Sequence, residues 1–405
     1  MIRLVQSITV PLARLLYKVR ISVTEAQVGK VRAVEAARLV FVCNHPTMED
    51  GISLFALSAR IGQLFHYVVA YESFKGLMGW FIQRLGCYSI RRGLGDRASI
   101  SQTLSLLKAP QCRLVIFPEG GCSYQNDTIM PFRPGAIQLP MSVLAQLAKK
   151  SAPGQAPDLY LVPLSLKYRY QQPMQRVIES TLTRLEAALN LSSKPPSKGA
   201  ELDNYDRLRQ IAHEVIVKIE AEANLPHEET LSWNKRIDRL RQAFIQKCEA
   251  ALSVEPNLNL PTRERVYRVQ ALLEEAETSG NQAAGGQANR GQANHDAIDY
   301  QDIYWDTVRL LNFDAIYDGY VAESPTPERF LDTLIRLERE VFHVEHAPPK
   351  APRKACFYIG DPINLKEYLA DYQRDRSGTV DRLAEHLHQV MQSNLNKITA
   401  QSGQP

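Results

Sequence analysis

His45 and Asp50 stand five residues apart in the segment NHPTMED, residues 44–50. A carboxylate that holds the proton on one ring nitrogen of a histidine leaves the other nitrogen free to take a proton from a substrate. On one continuous helix the two side chains would lie about 140° apart and could not meet. We therefore predict that His45 lies in a strand-to-helix loop, with Pro46 beginning the helix and Asp50 in its second turn. This is the orienting part of a catalytic triad, without an enzyme nucleophile.

The spacing of this pair is weak evidence by itself. The chain has nine histidines, and a chance His-x4-Asp pair is expected in about one such chain in three. The alternative is a loop histidine whose ring is satisfied by a nearby acid. The neighbouring elements and motifs must decide between the two.

Three short apolar runs predict buried strands that are rich in β-branched or aliphatic side chains. Helix-periodic segments at 96–108 and 136–149 separate them, and such alternation indicates an α/β fold with a mixed sheet flanked by helices. The predicted strands are Arg38–Cys43, Cys112–Phe117 and Leu159–Leu166.

Polar clusters follow two of these strands. The segment 44–50 comes directly after the first strand, and Pro118-Glu119-Gly120-Gly121 follows the second. In open α/β sheets, ligands bind beyond the carboxyl ends of the strands. Both clusters are therefore predicted to line one site.

The chain changes character after Tyr170. Residues 171–354 are mostly long polar segments with helical periodicity, which we interpret as a helical insertion into the α/β domain of residues 36–170. Near 279–295 the sequence is low in complexity and has little to bury, which predicts a mobile linker. The strand-like segment ACFYIGDPI then predicts a return to the α/β domain over residues 355–400.

Residues 1–35 are predicted to dock on a membrane. Residues 1–22 mix apolar and basic side chains, which is typical of an amphipathic helix on an anionic surface, bent here at Pro11. A helix that covers the domain's own core is the alternative. No run approaches the roughly 18 apolar residues of a spanning helix. We expect a cytoplasmic protein, peripheral on the inner face of a membrane.

Composition and missing motifs exclude several classes of protein. The 405 residues are 44% hydrophobic and 23% charged, and a net charge of +4 gives no argument for nucleic acid. The six scattered cysteines favour reduced thiols over disulfides or a zinc site. No G-x-S-x-G elbow or phosphate-binding P-loop is present, which weighs against a serine hydrolase and an ATP-driven ligase. No histidine spacing supports Cys122 as a nucleophile.

Four sequence blocks occur in order within residues 36–170. Together they resemble the glycerolipid acyltransferase family, whose type member is 1-acylglycerol-3-phosphate acyltransferase. The segment IGDPI, residues 359–363, is also similar to the strand that follows the fourth block in that family. The resemblance covers about half of the chain, and the helical insertion has no counterpart in it. The blocks are Asn44-His45-x4-Asp50, the run from Gly86 to Arg92, Phe117-Pro118-Glu119-Gly120 and Val162-Pro163.

The resemblance implies direct acyl transfer from a thioester to a lipid hydroxyl. His45 would act as general base, oriented by Asp50, and no acyl-enzyme would form. The donor would be acyl-CoA or acyl carrier protein, since both carry the same phosphopantetheine thioester. Other expected contacts are membrane lipids, with no cofactor, no metal and no nucleic acid.

The resemblance also implies the substrate-binding residues. Arg92 and Arg91 would hold the acceptor's phosphate, because guanidinium groups bind phosphate oxygens in a bidentate way. Glu119 would hydrogen-bond the glycerol part, and Gly120 and Gly121 would let the backbone approach closely. By themselves, two adjacent arginines are more often a solvated surface pair.

Two departures from the family pattern bear on the acceptor. The third block continues Gly121-Cys122-Ser123 where the family has Thr-Arg-Ser, and Ser89 stands where the family has Phe. One phosphate ligand is therefore missing from the pattern. The expected acceptor is 1-acylglycerol-3-phosphate, and the alternatives are glycerol 3-phosphate or a lipid without phosphate. Candidate substitutes for the missing arginine are Arg97, Arg113 and Arg133.

Further alternatives stay open at this stage. The chain could be a non-catalytic lipid-binding scaffold, although the intact His45, Asp50 and Glu119 argue against it. The helical insertion could be a partner surface, a lid or a dimer contact. The aromatic and basic segment Ile52–Gly86 is a candidate membrane contact, or else belongs to the core of the α/β domain.

Overall fold

The computed structural model describes residues 5–6, 11, 13, 15–74, 76–152, 155–191, 203–284 and 300–401. The chain divides into two compact units. The first, the α/β unit, comprises Met1–Ile90, Asp96–Pro173 and Pro349–Pro405. The second, the helical unit, comprises Arg91–Gly95 and Met174–Pro348.

Eight strands form one mixed, mostly parallel sheet in the described part of the α/β unit. They are β1 (Val19–Ser22), β2 (Arg38–Cys43), β3 (His66–Ala70), β4 (Cys87–Ile90), β5 (Arg113–Ile116), β6 (Leu159–Tyr170), β7 (Arg353–Ile359) and β8 (Ile363–Asn364). The order is β1-β7-β6-β2-β5-β3-β4, with β8 paired to β6. Strands β2 to β6 run parallel, whereas β7 and β8 are antiparallel to β6. The predicted fold class is confirmed.

Helices cover both faces of this sheet. They are α1 (Glu25–Arg32), α2 (Asp50–Ile61), α3 (Gly76–Arg84), α4 (Arg97–Lys108), α5 (Gly135–Ala148), α12 (Leu369–Arg374) and α13 (Arg376–Gln401). The helical unit between them contains α6 (Gln175–Ala188), α7 (Asn204–Glu222), α8 (Trp233–Ala251), α9 (Thr262–Ala284), α10 (Tyr300–Phe313) and α11 (Pro327–Val341). The predicted start of α11 is confirmed, because the Thr326 side chain accepts from the Arg329 N–H and Pro327 follows the cap.

The sheet separates two hydrophobic cores. Phe41 of β2 packs on one face with residues of α1 and α2, and its neighbours Val40 and Val42 pack on the other face with residues of α5 and α13. Side chains alternate between faces along a strand, so a strand covered on both sides needs apolar residues at every position. This explains the continuous apolar run of β2 and fixes its carboxyl end, where the polar loop begins.

One pattern of helix ending and ion pair occurs three times along the first four helices of the helical unit. Near the end of α6, α7 and α8 a glutamate is followed four residues later by a left-handed residue, and the glutamate carbonyl accepts from the N–H of the next residue. This is the Schellman ending of a helix. The same glutamate side chain binds an arginine in the first turn or so of the following helix. The pairs are Glu186–Arg207, Glu220–Arg236 and Glu249–Arg265.

Two predictions fall partly outside the described residues. Of the amphipathic helix predicted over 1–22, residues 1–4, 7–10, 12 and 14 lie outside them. The prediction is wrong for Val19–Ser22, which form β1 because they pair with β7 at the sheet edge. Of the linker predicted near 279–295, residues up to Ala284 belong to α9 and the remainder lies outside the described residues. Among the helices that the structure describes, none is long and apolar enough to cross a bilayer.

Candidate active site

The loop between β2 and α2 places the histidine and its acid. It spans residues 44–49, and α2 begins only at Asp50. The prediction that Pro46 begins the helix is therefore wrong, and Asp50 lies in the first turn instead of the second. The carboxylate of Asp50 accepts from the Thr47 N–H at 3.0 Å and from the Thr47 hydroxyl at 2.8 Å. These bonds close a turn over residues 47–50, which delays the start of the helix.

The His45 ring contacts the Asp50 carboxylate directly. Nδ1 donates to Oδ2 over 2.7 Å, and the ring stacks on Phe117 with centroids 4.2 Å apart. The Asp50 side chain is fully buried, whereas that of His45 is 18% exposed. The bond to Asp50 fixes the tautomer in which Nδ1 carries the proton, so Nε2 is the nitrogen left to accept one. The geometry is that of an oriented general base.

Tyr168 is a member of this network that the sequence analysis missed. Its hydroxyl donates to Asp50 Oδ1 over 2.8 Å and lies 2.8 Å from the Ser53 hydroxyl. Burial, and next the charge of Asp50, raise the pKa of Tyr168 well above its usual value, so the hydroxyl stays protonated and donates. Strand β6 continues four residues past the predicted end at Leu166. That extension brings Tyr168 to the site.

Glu119 and Ser123 hold the backbone of His45 from the neighbouring strand end. Glu119 is 3% exposed, and its Oε1 accepts from the His45 N–H over 2.8 Å. Its Oε2 accepts from the Met130 N–H over 3.2 Å. The Ser123 N–H donates to the His45 carbonyl over 2.8 Å. Both backbone groups of His45 are therefore bonded to the loop after β5, which locates the ring as well as orienting it.

Asn44 ties the same loop to β6. Its amide donates to the Leu166 carbonyl over 2.9 Å and accepts from the Leu166 N–H over 2.7 Å. The Asn44 side chain thus bonds both the N–H and the C=O of one residue of β6. It takes the place of a backbone partner in the sheet beyond the end of β2. Asn44 is buried. It therefore extends the ordered backbone of β2 into the loop that carries His45.

A family comparison covers most of these residues. Residues 24–167 match the family model described as Acyltransferase. This segment is an acyltransferase-family domain. No curated protein matches the chain. The domain contains His45, Asp50 and Glu119, whereas Tyr168 lies one residue beyond its matched end.

The turn after β5 in the acyltransferase domain brings a guanidinium against glycine. Gly120 has a φ of 74°, and a Cβ there would lie 2.0 Å from Nε of Arg133. The Arg133 N–H donates to the Pro118 carbonyl over 2.8 Å, which holds the arginine beside this turn. Gly121 follows in the same turn and is buried. Any side chain at position 120 would displace Arg133.

The other candidate substitutes for the missing family arginine lie elsewhere. Arg113, at the start of β5, donates to the Ala37 carbonyl over 2.7 Å and to Gln63 Oε1 over 2.6 Å. It is buried at the amino end of its strand, away from the carboxyl ends that carry the site. Arg97 is the first residue of α4 and is exposed. Of the three, only Arg133 contacts the turn at Gly120.

Arg91 and Arg92 belong to the helical unit. The Arg92 guanidinium carbon lies 4.3 Å from the centre of the Tyr267 ring. Gly93 has a φ of 75°, and a Cβ there would lie 2.2 Å from the Arg268 nitrogen. The structure therefore brings together the predicted site residues of the α/β unit and places the two arginines in the other unit. Those brought together are His45, Asp50, Glu119, Gly120 and Gly121.

The thiol of Cys43 lies beside the candidate site and is buried. Burial, followed by the charges of Asp50 and Glu119, raises the pKa of Cys43 well above its usual value, so a thiolate is disfavoured. Cys122 is half-buried. In the described residues, no group of three or more histidine, cysteine or acidic side chains could hold a metal ion.

Proposed function

We propose that this chain moves a fatty acyl group from a thioester to the free hydroxyl of a lysophospholipid, with 1-acylglycerol-3-phosphate as acceptor. The observation that carries the proposal is the 2.7 Å bond between His45 Nδ1 and the buried Asp50, inside an acyltransferase-family domain. We expect Nε2 to face the acceptor hydroxyl. Phospholipid synthesis is the process in which this reaction belongs.

The reaction needs one base and no enzyme nucleophile. His45 Nε2 takes the hydroxyl proton while the oxygen attacks the thioester carbonyl carbon. The tetrahedral intermediate then collapses, the C–S bond breaks, and the imidazolium returns the proton to the thiolate. Asp50 stabilises the transient imidazolium, because its own charge is held by Thr47 and Tyr168. The products are an ester and a free thiol.

Recognition of a phosphate-bearing acceptor rests on arginines. Arg133 supports the proposal within the α/β unit, because it lies against the Gly120 turn beside the catalytic loop. The phosphate roles of Arg91 and Arg92 stay predictions. So does the contact of Glu119 with the glycerol part, since both of its oxygens already accept backbone N–H groups. Cys122 in place of the family arginine keeps glycerol 3-phosphate and phosphate-free lipids as alternatives.

An exposed face of α3 suits a lipid surface. Leu77, Trp80 and Phe81 are 88%, 55% and 38% exposed, and Arg84 lies one turn further along. This i, i+3, i+4, i+7 spacing puts them on one side of the helix. The Arg84 guanidinium carbon is 3.7 Å from the Trp80 ring centre. Aromatic, aliphatic and cationic groups on one face are typical of peripheral contact with anionic headgroups, so we propose that α3 docks on the membrane.

The proposal is tested by thiol release from a long-chain acyl-CoA in mixed micelles, with and without 1-acylglycerol-3-phosphate. We expect acceptor-dependent release that falls by about 10²–10⁴-fold in His45→Ala, the typical contribution of a general base. The matched control is His388→Ala, which removes another part-buried histidine of the α/β unit, one that contacts the Ile129 carbonyl.

A panel of alternative substrates identifies which acceptor and which donor the protein uses. Glycerol 3-phosphate and a monoacylglycerol replace the lysophospholipid in one series, and acyl carrier protein replaces CoA in the other. Release with a different acceptor would correct the acceptor and keep the chemistry. If no pair supports release, the chain is better described as a lipid-binding scaffold. If release occurs and His45→Ala is as active as wild type, His45 is not the base.

A further inference from the structure

Arg353 is a buried cation beside the catalytic network. It is the first residue of β7, which is antiparallel to β6, and it pairs opposite Tyr170. The start of β7 therefore lies at the edge of the sheet where β6 ends and where the site is built. Arg353 is 5% exposed, and it lies outside the matched residues 24–167.

The guanidinium of Arg353 packs on the residues that hold Asp50. Its central carbon lies 4.7 Å from the centre of the Tyr168 ring, and Nη2 lies 3.5 Å from Oε2 of Glu49. Tyr168 donates to Asp50, and Glu49 is the residue directly before it. Arg353 therefore contacts both the donor to the carboxylate and the N-terminal cap of α2.

The hydrogen bonding of Arg353 is incomplete for a buried group. Within the described residues, Nε is buried and makes no hydrogen bond, and Nη2 meets Glu49 only at the ion-pair distance of 3.5 Å. A buried guanidinium normally satisfies its donors, and leaving them unmet opposes folding. Burial lowers the pKa of Arg353, but Glu49 and two tyrosines raise it further, so the cation persists. The Arg353 guanidinium therefore keeps its charge although its buried Nε has no acceptor. This combination points to a role in the site.

We propose that Arg353 is a positioning residue for the His45–Asp50 pair, an inference that rests on the proposed function. Its contact with the ring holds the Tyr168 hydroxyl toward the Asp50 carboxylate, and its ion pair holds the turn that ends at Glu49. His45 and Asp50 lie within the acyltransferase-family segment. The strand that follows the helical unit thus adds a positioning residue to them from outside that segment.

The sign of the pH effect follows from the charges around His45. A nearby cation opposes the protonated imidazole, so its loss makes the base switch off at a higher pH. The screening of a partly buried site limits the shift to about half a pH unit. The other charged and titratable groups around the pair are Glu49 before α2, Cys43 on β2, Glu119 after β5, Tyr168 on β6 and Arg353 on β7, with Arg133 beside the Gly120 turn.

The test compares Arg353→Met and Arg353→Lys in the full-length protein. For Arg353→Met we expect kcat to fall about tenfold or more while KM for the acyl-CoA changes less than about twofold. The acidic limb of the kcat/KM profile should move up by about half a unit. Arg353→Lys keeps the charge and should leave the limb in place. Arg113→Met removes an equally buried arginine from the other end of the sheet and should leave both quantities unchanged per folded molecule.

A second measurement separates this inference from the proposed function. The ring resonances of His45, assigned by their loss in His45→Ala, are followed by NMR against pH in wild type and in Arg353→Met. A shift of the transition to higher pH supports the positioning role even if no acyl transfer is found. If the transition and the rate profile stay where they are in wild type, Arg353 only supports the fold, and the inference is wrong. Should Arg353→Met fail to fold, Arg353→Gln takes its place.

Discussion

At the residue scale, the site depends on how completely one carboxylate is satisfied. Asp50 accepts from His45, Tyr168 and twice from Thr47. Donors to a carboxylate favour its charged form. A fully buried and fully bonded carboxylate cannot rotate away, so the His45 ring has one tautomer and one orientation. The bond between His45 and Asp50 therefore depends also on Thr47 and Tyr168, which hold the carboxylate in place.

Asp50→Asn tests the tautomer. The amide keeps the shape of the side chain but, in place of Oδ2, presents an NH2 group where the His45 Nδ1–H and the Thr47 N–H now point. We expect kcat to fall by about 10²–10⁴-fold, because the base loses its orienting acceptor. Steady-state kinetics and circular dichroism together check this. A variant that folds and retains wild-type kcat would contradict the role of Asp50.

Tyr168→Phe tests one donor to the acid. The ring, and with it the Arg353 contact, is kept, while one hydrogen bond to Asp50 is lost. We expect a loss of about 1–3 kcal/mol in the free energy of unfolding, since the carboxylate is buried. The control is Tyr88→Phe, which removes a 2.7 Å bond to Thr103 of the same unit. Only Tyr168→Phe should also lower kcat, and equal kcat in the two variants would exclude Tyr168 from the mechanism.

At the element scale, strands end where the polar loops must begin. Strand β2 is apolar on both faces up to Cys43, and the loop then leaves the sheet toward Glu119 and Leu166. In the helical unit, three helices end in the same way, and each ending carries a glutamate–arginine pair. Burial differs among these pairs: Glu249 and Arg265 are 3% and 5% exposed, and Glu186 and Arg207 are 17% and 21% exposed.

The difference in burial between the two pairs predicts two different losses in the free energy of unfolding. Glu249→Gln leaves the buried Arg265 without its charge partner, which typically costs about 3–5 kcal/mol of stability. Glu186→Gln breaks a pair that water reaches, and the expected cost is about 1 kcal/mol or less. Urea unfolding measures both losses, and hydrogen exchange localises the first to α8 and α9 and the second to α6 and α7. Equal losses in the two variants would show that burial does not govern the pairs.

At the scale of the whole molecule, the proposed reaction requires contact with lipid. The face of α3 carries the apolar residues that a headgroup boundary would cover. Replacing Leu77 and Trp80 by glutamate should reduce flotation with anionic vesicles several-fold, because apolar contact is lost and like charge is introduced. Thiol release from a water-soluble short-chain acyl-CoA should change little.

A matched control for membrane docking is Leu258→Glu. Leu258 is 78% exposed and belongs to the helical unit. If this substitution lowers vesicle binding as much as the double substitution on α3, general surface hydrophobicity explains the binding. If neither lowers it, the membrane contact lies elsewhere in the chain.

Local sequence was sufficient for the fold class and the framework of the site. Apolar runs predicted β2, β5 and β6, and polar clusters after two of them predicted where His45, Asp50 and Glu119 lie. These inferences succeed because the run of side chains along a buried strand depends on local alternation and burial. The start of α2 was misplaced, because the turn at Thr47 depends on a side-chain bond that a proline at position 46 does not reveal.

What the sequence by itself determined was the α/β class, the helical character of 171–354 and the His45–Asp50 hypothesis. Only the tertiary structure decided that Tyr168 bonds Asp50, 118 positions away along the chain, and that Arg353 packs on Tyr168. It also decided that Arg113 is committed to the other end of the sheet and that Arg92 packs on Tyr267. Contacts between distant strands depend on pairing order and register, and neither quantity is encoded in the spacing of residues along one segment.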